Sequence, residues 1–281
     1  MVSPVILGCD CNGAFLEKAF EYDSRPDGEM DFGIDESDYR RCYMRCTVCD
    51  HWFSKHKIDL SKLYESQYLK STYGDAEGLK RRYEKISLLP PEQSDNAARC
   101  VHIQSFAKDF FGPDFAPAER SVLDVGGGIG VFAAEMKRYG WRVSTIEQDL
   151  LFVNHLRDTV GVEAFHDDLF DLSPQDIGSF DAISFNKVLE HIESPVPLLA
   201  HAGSFLNEHG FIYVELPDIE AACEGPEREE FFIEHFHVFS PSSIALLLER
   251  SGFKVITIER LRDPSGKFTL RAFGTLRGNV A

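Results

Sequence analysis

Short apolar runs alternate with amphipathic segments from Arg120 to the carboxyl terminus of the chain. Alternation of this kind predicts a parallel sheet with helices packed on both faces. Two final apolar runs flank the turn Asp263-Pro264-Ser265-Gly266 and predict a closing antiparallel pair. The expected fold is therefore α/β: a doubly wound, mostly parallel, seven-stranded sheet with an antiparallel terminal strand. The predicted strands are 122–125, 141–146, 162–165, 180–185, 211–216, 253–258 and 268–276.

Three of the predicted helices carry recognisable end signals. A helix over 95–111 has Ser94 or Asp95 as its cap, and another begins at Ser240-Pro241 and ends at Gly252. A third helix runs from Val196 to Asn207, and Gly210 is expected to end it in a left-handed turn.

A glycine-rich turn follows the first strand of this region. Residues 124–130 read D-V-G-G-G-I-G, which places Gly126, Gly128 and Gly130 at alternate positions after Asp124. Glycine lets the backbone turn tightly and approach a ligand closely. The dinucleotide pattern G-x-G-x-x-G requires glycine where Val131 stands. The turn therefore predicts a nucleotide site, and its spacing disfavours a nicotinamide dinucleotide.

Glu147 stands at the end of the second strand of this region. A carboxylate can accept hydrogen bonds from two hydroxyls at once, and an acid at this place in such folds binds ribose. Glu147 follows Asp124 by 23 residues, close to the interval of about 20 expected for a ribose acid. The alternative is that Glu147 is only a solvent-exposed acid at the end of the strand.

Charge narrows the range of partners. The chain has 46 acidic residues against 29 lysines and arginines, a formal charge of −17, which repels phosphate backbones and disfavours nucleic acid. No apolar run reaches the about 20 residues of a membrane span. The start, Met1-Val2-Ser3-Pro4, does not resemble a secretory signal, so a cytoplasmic location is expected. These patterns indicate no oligomeric state.

Five of the seven cysteines lie within the first 49 residues. In a reducing compartment such clusters are more often metal sites than disulfides, and two close cysteine pairs suit tetrahedral zinc. Cys42 could replace one ligand, and His51 is a weaker substitute. The alternative is a set of reduced thiols in a poorly ordered segment. The predicted zinc ligands are Cys9, Cys11, Cys46 and Cys49.

Three regions are expected along the chain. Residues 1–60 form a cysteine-rich zinc module, and residues 94–281 form the α/β domain. Residues 61–93 are tyrosine-rich and predict a linker that packs on the main domain or a lid over a substrate pocket. The tyrosines of this region are Tyr64, Tyr68, Tyr73 and Tyr83.

Over residues 94–281 the chain resembles class I S-adenosylmethionine-dependent methyltransferases, which have a Rossmann-like fold. The resemblance rests on D-x-G-x-G-x-G, Glu147, the acids before Leu169, the segment V-L-E-H at 188–191 and the closing hairpin. It implies that Asp168, or alternatively Asp167, accepts from the adenine amino group while Leu169 packs on the ring. It also places Asn186 beside the methionine end of the cofactor. The implied cofactor residues are Asp124, Gly126, Gly128, Gly130, Glu147, Asp168, Leu169 and Asn186.

Cysteines before such a domain resemble the zinc-module methyltransferases that include deoxysugar C-methyltransferases. In that group a Glu-His pair precedes an F-S-x-x-S helix start, and here the pair is Glu234-His235. The resemblance makes His235 the candidate general base, with Glu234 orienting it and His237 as second choice. The pair could instead only fix its loop. At 68–71 the chain reads Y-L-K-S, and Lys70 departs from the tyrosine expected there.

The resemblance implies an S-adenosylmethionine-dependent methyltransferase that acts on a small molecule by in-line transfer. A sugar nucleotide or a natural-product intermediate is the acceptor class it indicates. The alternative is a catalytically inactive S-adenosylmethionine-binding protein with a regulatory or partner role. Turnover to S-adenosylhomocysteine separates the two, whereas cofactor binding alone does not.

Overall fold

The computed structural model describes residues 15–35, 39–58 and 75–278, which form a seven-stranded sheet and a four-stranded sheet. The strands are β1 (Leu16–Tyr22), β2 (Arg41–Cys46), β3 (Trp52–His56), β4 (Ser121–Val125), β5 (Arg142–Glu147), β6 (Glu163–His166), β7 (Phe180–Asn186), β8 (Leu206–Pro217), β9 (His237–Val238), β10 (Phe253–Arg262) and β11 (Phe268–Leu276). The α-helices are α1 (Ala76–Ser87), α2 (Asp95–Phe111), α3 (Val131–Arg138), α4 (Leu150–His155), α5 (Pro174–Ile177), α6 (Pro195–Ala202) and α7 (Pro241–Arg250).

The larger sheet has the strand order β10-β11-β8-β7-β4-β5-β6. Strands β6, β5, β4, β7 and β8 are mutually parallel, whereas β11 pairs antiparallel with β8 and with β10. The predicted α/β fold and its closing antiparallel pair are therefore confirmed. Because β4 lies between β5 and β7, the loops that follow these three strands meet at one edge of the sheet.

Both faces of the larger sheet are buried. On one face Leu123 and Ile183 pack with residues of α6 and α7, and on the other Val122 and Ala182 pack with residues of α2 and α3. The ring of Phe106 stacks on Phe273, with centroids 3.7 Å apart. Fully burying one apolar side chain contributes about 1.5–3 kcal/mol, so these two layers stabilise the sheet that positions the loops.

Two predicted helix starts are confirmed by their caps. The Ser94 Oγ accepts from the Ala97 N–H at 3.1 Å, and the Ser240 Oγ accepts from the Ser243 N–H at 3.0 Å. None of the helices in the described ranges is long and apolar enough to cross a bilayer.

The predicted end of the third helix is wrong. Helix α6 ends at Ala202, and Gly210 lies within β8 rather than in a left-handed turn. A Cβ on Gly210 would lie 2.8 Å from the Asp181 carbonyl oxygen, so the close approach of β7 explains the glycine. The glycine at position 210 is therefore explained by the pairing of β8 with β7 and not by the local sequence.

The smaller sheet has the order β1-β2-β3-β9, and its fourth strand comes from the far end of the chain. Trp52 of β3 pairs with Val238 of β9. A buried aromatic cluster that packs with this sheet includes Tyr22, Tyr43 and Phe231. The amino-terminal strands thus build a core together with residues that follow position 220, although their own sequence is poor in apolar residues.

Candidate functional site

A cavity of about 450 Å³ lies at the edge where the loops after β4, β5, β6 and β7 meet. It brings together four of the predicted cofactor residues, Gly126, Glu147, Asp168 and Leu169, with Glu234 of the predicted catalytic pair. Its lining also contains Val125, Ile146, Gln148, Asp167, Phe170, Lys187, Val188, His191, Ile192 and Leu198.

The glycine turn forms one wall of the cavity. Gly126 has φ +76°, and a Cβ there would lie 2.7 Å from the Val188 Cγ2. Gly128 has φ +50°, and a Cβ there would meet only the Gly126 carbonyl oxygen, at 3.9 Å. Gly130 lies away from the opening, against Val160, where it begins α3. The turn therefore offers backbone that a ligand can approach closely.

Glu147 binds this turn through its carboxylate. Its Oε2 accepts from the Gly128 N–H at 3.0 Å, and its Oε1 accepts from the Gln148 N–H at 2.9 Å. Burial raises the pKa of Glu147, and these backbone donors oppose the rise. The Oε1 also accepts from the Asp149 N–H at 3.4 Å, whereas the Oε2 retains a lone pair that can accept from a ligand hydroxyl.

Both acids of the loop after β6 line the cavity. The Asp168 Oδ2 accepts from the Gln148 side-chain amide at 2.7 Å, and its Oδ1 accepts from the Phe170 N–H at 2.9 Å. Leu169 is buried beside them. Asp167 reaches the same cavity, so both alternatives for the adenine acid remain.

Asp124 lies beneath the cavity and does not line it. It is 2% exposed and accepts from the Ser184 Oγ at 2.7 Å and the Asn186 Nδ2 at 2.8 Å. Burial raises its pKa to about 7. Within the described ranges, the Asn186 Oδ1 is buried with no hydrogen-bond partner. Asp124 therefore orients the Asn186 amide and leaves one acceptor for a ligand.

Lys187 lines the cavity in a conformation that few lysines adopt. Its φ is +59°. Its N–H donates to the Glu215 carbonyl at 3.0 Å, and its Nζ donates to the Thr269 Oγ1 at 2.8 Å. Strained backbone of this kind clusters at functional sites and costs of order 1–3 kcal/mol. Sequence reasoning missed Lys187, although its place directly after a buried strand was a usable signal.

At the other side of the cavity, Glu234 lines the wall and His235 lies half-buried next to it. The His235 Nδ1 donates to the Glu230 carbonyl at 3.0 Å, because a carbonyl can only accept. The neutral ring then carries its lone pair on Nε2. Burial, followed by the nearby His191, holds the pKa of His235 well below its usual range. At neutral pH the ring is therefore unprotonated.

Glu190 lies next to these histidines and was missed as a site residue. It is 1% exposed, and within the described ranges neither carboxyl oxygen has a hydrogen-bond partner. Burial raises its pKa to about 7. Ligand atoms of Glu190, His191 and His235 lie within 4.8 Å of one another, a donor set that suits a divalent metal. Its sequence segment was noticed, but burial is a tertiary property.

The second-choice base, His237, is fully buried and hydrogen-bonded at both ring nitrogens. Its Nε2 donates to the Glu193 carbonyl at 3.2 Å, and its Nδ1 lies 3.0 Å from the His51 Nε2. His51 must donate across that contact, so neither nitrogen of His237 offers a lone pair to a substrate. His51, the weaker substitute for a zinc ligand, then keeps its lone pair on Nδ1, which has no hydrogen-bond partner among the described residues.

Of the predicted zinc ligands, Cys46 and Cys49 are described, and both are buried where β2 turns into β3. The Cys49 carbonyl accepts from the Ser240 Oγ at 2.7 Å, which joins this turn to the start of α7. Cys9 and Cys11 lie outside the described residues, as do Tyr64, Tyr68 and Tyr73. The four-cysteine site therefore stays a prediction.

Comparison with known proteins identifies the larger unit. A family model described as a methyltransferase domain matches residues 97–258. The ubiquinone biosynthesis O-methyltransferase of Xanthomonas axonopodis pv. citri is 32% identical over 103 residues, which are 35% of this chain and 43% of that protein. The match thus spans less than half the length of this curated relative.

Two solved structures share the fold. The 1,6-didemethyltoxoflavin-N1-methyltransferase of Burkholderia thailandensis, bound to its acceptor and S-adenosylhomocysteine, has a TM-score of 0.51 at 16% identity. It covers 80% of this chain and 95% of its own. The glycopeptide N-methyltransferase MtfA with S-adenosylhomocysteine has a TM-score of 0.51 at 15% identity and covers 67% of this chain and 91% of its own.

Proposed function

Because the chain belongs to the methyltransferase domain family, we propose that it transfers a methyl group from S-adenosylmethionine to a small molecule with His235 as the general base. One observation carries the proposal. The cavity has the glycine turn and Glu147 on one wall and Glu234, next to His235, on another. Turnover of S-adenosylmethionine to S-adenosylhomocysteine tests it against the alternative of an inactive cofactor-binding protein.

The residues present fit the cofactor. The Glu147 Oε2 has a spare lone pair for a ribose hydroxyl, and no side chain lies within 4 Å of the place that a Gly128 Cβ would take. Asp168 and Leu169 combine an acceptor with an apolar surface, as an adenine requires. The Asn186 Oδ1 is a buried acceptor that a ligand ammonium group would satisfy. We propose that these residues contact the ribose, the adenine and the ammonium group of the cofactor.

Bound S-adenosylmethionine supplies an electrophilic methyl group on a positively charged sulfur. The acids Glu147, Asp167, Asp168 and Glu234 line the same cavity and favour a cationic ligand. The apolar part of the wall, including Val188, Ile192 and Leu198, keeps water from competing as an acceptor. Alignment of the two reactants in such a cavity provides most of the rate enhancement for an in-line transfer.

His235 is the group proposed to receive the acceptor's proton. Its Nε2 holds the lone pair, and the Glu230 carbonyl keeps the Nδ1–H in place before and after the transfer. Glu234 is the adjacent buried carboxyl, and burial raises its pKa. A carboxylate near the ring would stabilise the imidazolium that forms. This assigns Glu234 a supporting part and His235 the proton transfer.

The acceptor class rests on the relatives. The names of the ubiquinone and toxoflavin enzymes both describe methylation of small molecules. The amino-terminal cysteines and the Glu234-His235 pair resemble the deoxysugar C-methyltransferases, so a sugar nucleotide or natural-product intermediate is proposed. Residues 1–60 are proposed as the zinc module and 61–93 as the linker or lid of residues 94–281.

The acidic limb of the kcat profile is expected below pH 6.5. Burial and His191 lower the pKa of His235 from its ordinary 6.5, and the base must be neutral, so kcat falls only as pH drops through that lowered pKa. The measurement is kcat between about pH 5 and about pH 8 at saturating substrates. Glu190, whose pKa is about 7, is replaced in a Glu190→Gln control to separate its titration. A limb above pH 6.5 in that control contradicts the prediction.

The purified protein is expected to contain about one zinc per chain, the content of one four-ligand site. Cys46→Ser and Cys49→Ser should each lower zinc content and thermal stability, whereas exposed Cys223→Ser should change neither. Elemental analysis checks the content. A folded protein without zinc would refute the site. Zinc that survives both serine variants and is lost in Glu190→Gln would instead occupy the Glu190–His191–His235 group.

A further inference from the structure

The segment that carries Glu234 and His235 is held by side chains of β2 and of the loop that joins β1 to β2. The Arg41 Nη1 donates to the Phe231 carbonyl at 2.7 Å, and the Ile233 N–H donates to the Glu29 Oε2 at 2.7 Å. The Arg41 Nη2 donates to the same Glu29 oxygen at 2.9 Å. One ion pair therefore hydrogen-bonds two backbone groups just before Glu234, the Phe231 carbonyl and the Ile233 N–H.

This ion pair is fully removed from water. Both side chains are 0% exposed, and Tyr39 completes the group by donating to the Glu29 Oε1 and accepting from the Arg41 Nε at 2.8 Å. Buried ion pairs add little net stability compared with apolar packing, and their best-attested use is to specify one geometry. The Glu29–Arg41 pair therefore holds the Phe231 carbonyl and the Ile233 N–H in one arrangement.

Tyr43 acts directly on His235. Its hydroxyl donates to the His235 carbonyl at 2.6 Å, and its buried ring packs against Phe231 with centroids 5.4 Å apart. The Ser54 N–H donates to the next carbonyl in the segment, that of Phe236, at 2.8 Å. The backbone on both sides of the His235 side chain is therefore tied to β2 and β3.

The same segment is tied to the loop after β7. The Phe236 N–H donates to the Glu190 carbonyl at 2.7 Å, and the His191 Nδ1 donates to the Glu234 carbonyl at 3.0 Å. The segment thus joins the amino-terminal strands to the wall of the cavity. Neither Glu29, Arg41 nor Tyr43 lines that cavity.

We infer that β2 and the loop before it are a positioning element for methyl transfer, in which Glu29, Arg41 and Tyr43 set the place of the His235 Nε2. The inference rests on the proposed function, because His235 is its proposed base. A displaced base misaligns proton transfer, and an error of about 1 Å can cost 10²-fold in rate. Cofactor binding depends on residues of other loops and is left unchanged.

Tyr43→Phe tests this inference against Tyr22→Phe. Tyr22 belongs to the same aromatic cluster, but its hydroxyl donates to the Pro226 carbonyl at 2.8 Å, outside the 231–236 segment. Tyr43→Phe should lower kcat about tenfold, with the S-adenosylmethionine Kd unchanged within about twofold. Tyr22→Phe should keep wild-type kcat. Each variant loses one phenolic hydroxyl and keeps its aromatic ring, so the two differ only in the contact that the hydroxyl made.

Arg41→Lys provides a second test, with Arg45→Lys as its control on the same strand. Lysine keeps the charge and cannot reach both the Phe231 carbonyl and Glu29, whereas Arg45 forms half-exposed ion pairs with Glu17 and Asp50. Arg41→Lys should lower kcat more than tenfold without weakening cofactor binding. Thermal unfolding of each variant establishes that the measured rate belongs to folded protein.

The outcomes separate this inference from the proposed base. Wild-type kcat in Tyr43→Phe and Arg41→Lys, beside an inactive His235→Asn, overturns the inference and leaves the base in place. A kcat loss matched by equal loss of folded protein or of cofactor affinity also overturns it, because that is the signature of a merely structural role. Full activity of His235→Asn refutes the base, and the inference falls with it.

Discussion

His235→Asn is expected to reduce kcat by about 10²–10⁴-fold, the usual contribution of a general base. Asparagine offers an amide N–H near the position of the Nδ1–H, so the bond to the Glu230 carbonyl can persist. It has no group in place of the Nε2 lone pair. The variant therefore removes the proposed proton acceptor while its loop keeps the same anchor. Steady-state turnover to S-adenosylhomocysteine measures the loss.

Cofactor affinity and stability serve as internal controls for this variant. Calorimetry should give an unchanged Kd for S-adenosylmethionine, and the melting temperature should stay close to that of the wild type. His209→Ala, an exposed histidine on β8, should leave every parameter unchanged. If His235→Asn turns over at the wild-type rate, His235 only fixes its loop.

Glu147→Ala should weaken S-adenosylmethionine binding at least tenfold, a loss of about 1.4 kcal/mol or more. Two effects add. The ribose hydroxyls lose a charged acceptor, and the Gly128 N–H loses the carboxylate that holds the glycine turn in shape. Calorimetric titration with S-adenosylmethionine measures the change, and S-adenosylhomocysteine should show a similar loss because it has the same ribose.

Glu163→Ala is the matched control for Glu147→Ala. Glu163 begins the adjacent strand β6 and pairs with Ser144. It therefore lies toward the amino ends of the parallel strands, whereas Glu147 lies at the carboxyl end of β5. Its replacement should leave the Kd within about twofold of the wild type, since Glu163 does not line the cavity and surface changes usually alter stability by no more than about 0.5 kcal/mol. An unchanged Kd in Glu147→Ala would remove Glu147 from the cofactor site.

Much of the larger sheet could be predicted because its signals are local. The glycine turn, the acid at position 147 and the serine caps at 94 and 240 each depend on residues that are neighbours in sequence. These are also the features that place loops at one edge of the sheet. The end of α6 was predicted wrongly, because Gly210 is required by the close approach of the Asp181 carbonyl on another strand and not by a helix end.

The site beyond the glycine turn could be predicted only in part. His235 and His237 are two residues apart and chemically equal in sequence, and only the pairing of β9 with β3 buries the second against His51. The burial of Glu190 and the strained backbone of Lys187 likewise depend on distant segments. A residue's type was readable from the sequence, whereas its access to the cavity was not.

The pairing of β3 with β9 also bears on how the chain folds as it is made. Strands β1 to β3 leave the ribosome early, and among the described residues the partner of the second edge of β3 is β9, residues 237–238. Such long-range pairing is slow, and an open strand edge invites contact with other chains. We therefore expect a nascent chain stopped before β9 to need a chaperone, and one extended past it to need none.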